Sequence, residues 1–491
     1  MLLLLVLAIA ALLALLDYVK KLHRFPSIPT ARPNHPVIGN ALLFRGTDLQ
    51  EKFERFNRVF RVDRLVKGWL GPMMYVGVAH PDLIQRVLTD PNCLQKPFYY
   101  EFFSIRNGLL TAKYDVWKPS RKVLNRTFNT RFLNDSIRAF RKCSQVMVDR
   151  MKCCPEGVPV DVLPYTMQCT LEMICATSMG LDVLEKADNK QFVDSMEVYC
   201  VFLRNVATRI FHPLSYIDVI YQRTHNYSQL ERARHFCLDY AKQTIDKRRA
   251  ALKNQSISTK EDHEFRRKII IDQVLEMDGD EELNDQNLRD QIMTFVAAGS
   301  DTVGHGVAHA CLFLAIFPDL QEKLATEIAT VLPLEEVDIT PETLKNLTFL
   351  DKFFKETMRV APPAPMIARS NMEEIELDGF RFPPDTIFIM NFYELHRRAD
   401  IWGPHADRFD PENFSEERSQ GRHPFGYLPF SGGSRNCIGL RYAMINAKIM
   451  LIYIVRNFRL STHLRFEDVK FLMGITLHLA FKHSIVLERR N

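Results

Sequence analysis

The chain has 491 residues, 46% hydrophobic and 25% charged, a composition that excludes a disordered or low-complexity protein and predicts a large folded body. Its net charge of +5 comes from 64 basic residues interspersed with 59 acidic ones, which does not suggest a nucleic-acid partner. The ten cysteines contain no C-x-x-C spacing, and the vicinal Cys153–Cys154 pair is poorly suited to a disulfide, so the chain reads as reduced and facing the cytosol.

The N-terminal run MLLLLVLAIAALLALL is apolar and uncharged, and Lys20, Lys21, His23 and Arg24 follow it. A spanning helix needs about 20 apolar residues, so the run is short. No basic segment precedes it, however, and no small-residue cleavage site stands out after it. Residues 1–19 are expected to be a single membrane anchor, with the positive flank holding the rest of the chain in the cytosol. Residues 20–40 then carry Pro26, Pro29, Pro33 and Pro36, a spacing that predicts a stiff, extended hinge.

From about residue 80 to 330 the apolar spacing is mostly helical, as in DSIRAFRKCSQVMVDRM and QCTLEMICATSMGLDV. The polar stretch 247–268 is expected to be a surface loop. NDQNLRDQIMTFVAAGSDTVGHGVAHACLFLAIF has no internal proline and is apolar nearly all round. It predicts one buried helix of roughly 50 Å. Gly299, Gly304 and Gly306 are costly inside it, and a ligand lying against that surface is the expected compensation. Beyond residue 360 strand-like pieces appear, MIARS, IELDGFRF and TIFIMNF, and the C-terminal FLMGITLHLAFKHSIVLERR reads as a hairpin. The fold class expected is mainly α with a smaller β portion.

The chemistry concentrates in FSGGSRNCIG, residues 430–439. A tight glycine turn can aim backbone N–H groups at the Cys437 sulfur and keep it anionic. Gly439 lets a flat ring lie close to the backbone, Arg435 can pair with an acidic ligand group, and Phe430 can shield the sulfur. The following LRYAMINAKIMLIYIV is a helix whose N-terminus also favours a negative sulfur.

This loop, F-x-x-G-x-R-x-C-x-G, resembles the haem-thiolate signature of the cytochrome P-450 superfamily at every fixed position. Other segments agree with the resemblance. Glu356 and Arg359 form E-x-x-R ahead of APPAP. FDPENF, residues 409–414, resembles the P-E-R-F segment but carries Asn413 where arginine is usual, so the ion network with Glu356 and Arg359 is expected to be weaker or to use another donor. AAGSDT, residues 297–302, resembles the A-G-x-D-T oxygen-activation motif, although Val303 departs from the frequent second hydroxyl. Trp117 and Arg121 match W-x-x-x-R, and Arg369 a further arginine of that family.

The resemblance implies the haem-thiolate monooxygenase fold for residues 41–491 as the catalytic domain. It implies haem b as cofactor, with Cys437 as axial thiolate and metal ligand. Trp117, Arg121, Arg369 and Arg435 would bind the propionates, Phe430 and Gly439 would pack the ring, and Asp301 and Thr302 would handle protons, with Gly299 opening a groove for dioxygen. Several family-four members carry a glutamate that esterifies the haem; Ala298 stands in that place here, which implies non-covalent binding. The implied partners are NADPH–cytochrome P-450 reductase, with cytochrome b5 as an optional second donor, docked on a face carrying Lys113, Lys118, Lys122, Arg126, Arg441 and Lys448. The implied location is the endoplasmic reticulum membrane. The apolar segment 202–220 would roof the pocket, so a lipophilic substrate (fatty acid, steroid-like or xenobiotic) is expected. A reductase-independent peroxide isomerase and a non-catalytic haem-binding protein are the alternatives.

Overall fold

The computed structural model describes residues 2–35, 38–46, 48–71, 73–103, 105–180, 206, 209–210, 213–255, 269–276, 285–333, 339–472 and 474–490. Segments 256–268 of the expected surface loop and most of 202–212 lie outside the described residues. Residues 247–255 of that loop are helical, as the end of helix His225–Gln255.

The long apolar segment forms one helix, Asp285–Ile316, of 32 residues, whose buried side chains point in every direction. It can be apolar all round because helices surround it. Helix Leu163–Ser178 lies along one side, where Thr166 Oγ1 donates to Gly304 O at 2.9 Å and Thr170 Oγ1 to Ser300 O at 2.9 Å. The glycines serve this contact. A Cβ on Gly304 would lie 2.6 Å from Met167 Sδ and 3.1 Å from Met167 Cα, and one on Gly299 3.2 Å from Ile174 Cδ1. Close helix packing therefore compensates Gly304, whereas Gly299 and Gly306 also line an apolar cavity beside the helix, where a ligand can lie against that surface. Gly306 has ordinary contacts only, 3.6 Å to Phe354 Cζ.

Eleven strands are present among the described residues: β1 Leu65–Leu70, β2 Met73–Val78, β3 Pro159–Asp161, β4 Met366–Ser370, β5 Ile375–Leu377, β6 Phe380–Phe382, β7 Ile387–Asn391, β8 Phe458–Ser461, β9 Phe471–Leu472, β10 His478–Leu479 and β11 Ser484–Arg489. The main sheet has the order β1-β2-β7-β4. Its β2–β7 pair is parallel and its other pairs are antiparallel, with Arg369 opposite Phe388. β9 and β10 form the expected C-terminal hairpin, while β11 joins β3 and β8 in a second sheet.

The first 23-residue helix, Leu2–Arg24, exposes Leu5, Leu7, Leu12, Leu13 and Leu16. Among the described residues no single helix is long and apolar enough to cross a membrane. The proline-rich stretch after it lies on the main sheet. Ala31 N donates to Lys67 O at 2.8 Å, Phe25 stacks on Phe382, and buried Asn40 Nδ2 donates to Ala31 O and Pro33 O.

Candidate active site

The loop before helix Leu440–Asn457 presents Cys437. Gly433 has φ +71, and a Cβ there would fall 1.8 Å from Leu88 O, so only glycine closes this turn. The turn brings Cys437 N within 3.0 Å of Phe430 O. The thiol faces a cavity walled by Phe295, Ala298, Val303, Phe354 and Ile367. Burial pushes the thiol up from its ordinary value, and the Gly439 backbone N–H and the Arg121 guanidinium pull it down. The nearest atom to a Cβ built on Gly439 is Cys437 Sγ, at 3.9 Å, so the space before the sulfur is open.

Trp117, Arg121, Arg369, Phe430, Arg435 and Gly439 all line this one cavity. Trp117 and Arg121 come from helix Tyr114–Thr127, whose Arg121 donates to Asn436 O and Oδ1, both at 2.7 Å. Arg369 comes from β4 and donates to Arg435 O at 3.2 Å. Arg435 itself donates to Leu94 O and Ala112 O.

Lys96 completes the set, and the sequence carries no motif that marks it. It lines the same cavity, 4.4 Å above the Tyr100 ring. Burial, then the neighbouring Arg369 and Arg435, hold its amine well below the ordinary range. Burial, then Arg369, pushes Arg435 down to about 9. Four cations thus meet with no carboxylate paired to them among the described residues, and the Nε atoms of Arg121 and Arg435 are buried without a partner. Such a cluster fits a ligand bearing negative groups at its edge, with an apolar body against the walls.

The acid–alcohol pair is separated. Thr302 lines the cavity, with Oγ1 donating to Ala298 O at 2.7 Å. Asp301 is buried and does not line it; Oδ1 lies 3.6 Å from His305 Nδ1 and Oδ2 has no partner. Neighbours on a helix diverge by about 100°, so the two side chains leave the helix on different sides.

Asn413 does reach Glu356, its Nδ2 lying 3.1 Å from Oε1, in place of an arginine. Asp410 N is the additional donor, at 2.7 Å. Of the basic face, Lys113, Lys118, Lys122, Arg126 and Arg441 are exposed. Lys448 is largely covered and taken up by Asp351 at 2.7 Å.

A helical body with one cysteine loop facing a long helix across an apolar cavity, and anion-seeking cations at its edge, fits the haem-thiolate class of enzymes. Comparison with known proteins narrows the class: the family model Cytochrome P-450 matches residues 29–478, and the chain belongs to that monooxygenase family. It is 28% identical to cytochrome P-450 4c21 of Blattella germanica over 94% of this chain and 93% of the relative. It is 27% identical to cytochrome P-450 4V2 of Homo sapiens, covering 97% and 92%, and 26% identical to the probable cytochrome P-450 313a4 of Drosophila melanogaster, covering 93% and 92%. Membership implies a haem-thiolate centre and suggests a redox partner.

Proposed function

We propose that the protein is a haem-thiolate monooxygenase acting on a lipophilic substrate, with Cys437 as the axial thiolate and haem b held without a covalent bond. One observation carries this reading: the four cations Lys96, Arg121, Arg369 and Arg435 converge, unpaired by any carboxylate among the described residues, on the cavity that Cys437 faces. Ala298 in the cavity wall supplies no carboxylate for an ester.

When bound, haem supplies oxygen activation: two electrons and two protons convert dioxygen into one inserted oxygen atom and one water. The chain's residues do the rest. Arg121, Arg369 and Arg435 would neutralise the propionates, with the Lys96 amine beside them as a further donor. Gly439 N–H and Arg121 favour the anionic sulfur. Thr302 offers its hydroxyl at the cavity wall. Phe295, Val303 and Ile367 exclude water and suit an apolar substrate.

Leu2–Arg24 acts as the anchor in the endoplasmic reticulum membrane, and the exposed Leu214, Ile217, Val219 and Ile220 lie at its surface, where lipophilic compounds enter. The reductase docks on Lys113, Lys118, Lys122, Arg126 and Arg441, with cytochrome b5 as an optional donor. The test is the haem-loaded protein with reductase, NADPH and a panel of fatty acids and steroids. Oxygenated product with matching NADPH use is expected. Turnover of a lipid hydroperoxide alone, with none of the panel oxidised, would contradict the reading.

A further inference from the structure

We propose that the cleft between loop 105–109, helix His225–Gln255 and the start of helix Asp285–Ile316 is an effector site for a phosphate-bearing anion, and that its occupancy tightens ligand binding in the haem cavity; the second half rests on the monooxygenase reading above.

Three arginines meet in the cleft, around a cavity of about 380 Å³. Arg106 enters from the loop, Arg234 from helix His225–Gln255 and Arg289 from helix Asp285–Ile316. Gln286 adds an amide and Leu238 an apolar wall. Two carboxylates, Glu231 and Asp290, face the three arginines and leave one positive charge in excess.

Both carboxylates are already engaged. Arg234 Nε and Nη2 donate to Glu231 Oε2, at 3.1 and 2.7 Å. Asp290 is 4% exposed, and its Oδ2 accepts from Asn107 N at 2.9 Å. Asp285, at the end of the helix, is held by Arg249 at 2.5 Å. Arg289 uses only Nε, on the Asp285 carbonyl at 3.2 Å, which leaves its two terminal nitrogens for a ligand. Arg106 is exposed and has no ion-pair partner among the described residues. Two guanidinium groups without a carboxylate, beside a third, offer the forked N–H donors that phosphate oxygens match.

The cleft and the haem cavity share a wall. Leu109 N donates to Gln291 Oε1 at 3.0 Å, and Gln291 Nε2 to Asn107 O at 2.7 Å, so the loop is laced to the long helix. Gly108 permits the close approach: a Cβ there would fall 1.9 Å from Thr294 Oγ1 and 3.0 Å from Asp290 O. Arg106 and Asp290 line the cleft, whereas Leu109, Leu110 and Thr294 line the haem cavity. An anion bridging Arg106 to Arg234 and Arg289 ties the loop to both helices. A ligand on the other side of the loop then has less ordering to supply, so each site favours occupancy of the other.

The test is calorimetric titration of the haem-loaded protein with pyrophosphate at constant ionic strength. Saturable binding at one site is expected, weakened about ten-fold by Arg106→Gln and by Arg289→Gln. Arg232→Gln, which removes an exposed arginine of helix His225–Gln255 outside the cleft, should leave binding unchanged. No saturable binding, or equal weakening by all three substitutions, overturns the site. Dihexanoyl phosphatidic acid competed against pyrophosphate separates the sources: the tighter of the two shows whether a lipid headgroup or a soluble phosphate fills the cleft. Imidazole, a ligand of haem iron, reads the coupling through the Soret band. With pyrophosphate saturating, imidazole should bind about five-fold more tightly, and the gain should vanish in Arg106→Gln. Unchanged or weaker imidazole binding overturns the effector role. Failure of the haem reading is distinct: a carbon monoxide band lacking the thiolate red shift in the unsubstituted protein sinks that reading, while the calorimetry still decides the cleft.

Discussion

Arg359 grips Glu356 with two hydrogen bonds, from Nε and Nη2, both at 2.7 Å, and neither side chain is exposed. The remaining donors of Arg359 are also used, on His396 O, Ala406 O and Arg408 O. A buried pair this fully bonded fastens helix Thr348–Val360 to the segment ahead of the cysteine loop. Removing one partner strands the other charge, so Glu356→Gln or Arg359→Met should destabilise by about 3–5 kcal/mol. Asn413→Leu, which deletes one bond to a charged acceptor, should cost about 1.5–3 kcal/mol. Denaturant unfolding midpoints check the order.

Lys96 should behave oppositely with and without ligand. Its amine is desolvated and faces two guanidinium groups. Lys96→Met should leave the haem-free protein as stable or more stable, while weakening haem binding about ten-fold, or about 1.4 kcal/mol. Unfolding of the haem-free protein and a haem titration give the two numbers. A loss of haem-free stability would show that Lys96 has another partner.

The glycines of the long helix make a contrast. Gly304→Ala drives a methyl to 2.6 Å from Met167 Sδ and should destabilise by about 1–3 kcal/mol. Gly306→Ala meets only ordinary contacts and should stabilise by up to about 1 kcal/mol through helix propensity. Thermal midpoints of the two variants should move in opposite directions.

Acid should unfold the protein partly through His483. Burial pushes its imidazole down to about 3 in the fold, against an ordinary 6.5. Between these values the unfolded chain binds the extra proton, so the contribution is present above pH 6.5 and is lost as pH falls toward 3. Each pH unit in that window should cost up to about 1.4 kcal/mol. His483→Leu should flatten the slope of unfolding free energy from pH 6 to pH 4, and an unchanged slope would assign it elsewhere.

The elements that the sequence showed well are those fixed by local pattern. The apolar run without proline matched helix Asp285–Ile316, MIARS and TIFIMNF matched β4 and β7, and the glycine turn marked the Cys437 loop. β1 and β2 were not foreseen, because short apolar runs such as LVKGWL and MMYVGV do not distinguish strand from helix. Lys96 carried no motif, since its role comes from a meeting with Arg369 and Arg435 that only the fold creates. The same holds for the cleft that Arg106, Arg234 and Arg289 share. The motif put Asp301 beside Thr302 in function, but helix geometry turned it toward His305.

The central claim is that the Cys437 sulfur is the fifth ligand of haem iron, and the carbon monoxide spectrum of the reduced protein tests it most directly. The unsubstituted protein should show the strong red shift of the Soret band that thiolate ligation produces. Cys437→Ser should lose that shift, or lose haem altogether, while keeping its far-ultraviolet helical signal. A serine variant that binds haem and retains the red-shifted band would contradict the account.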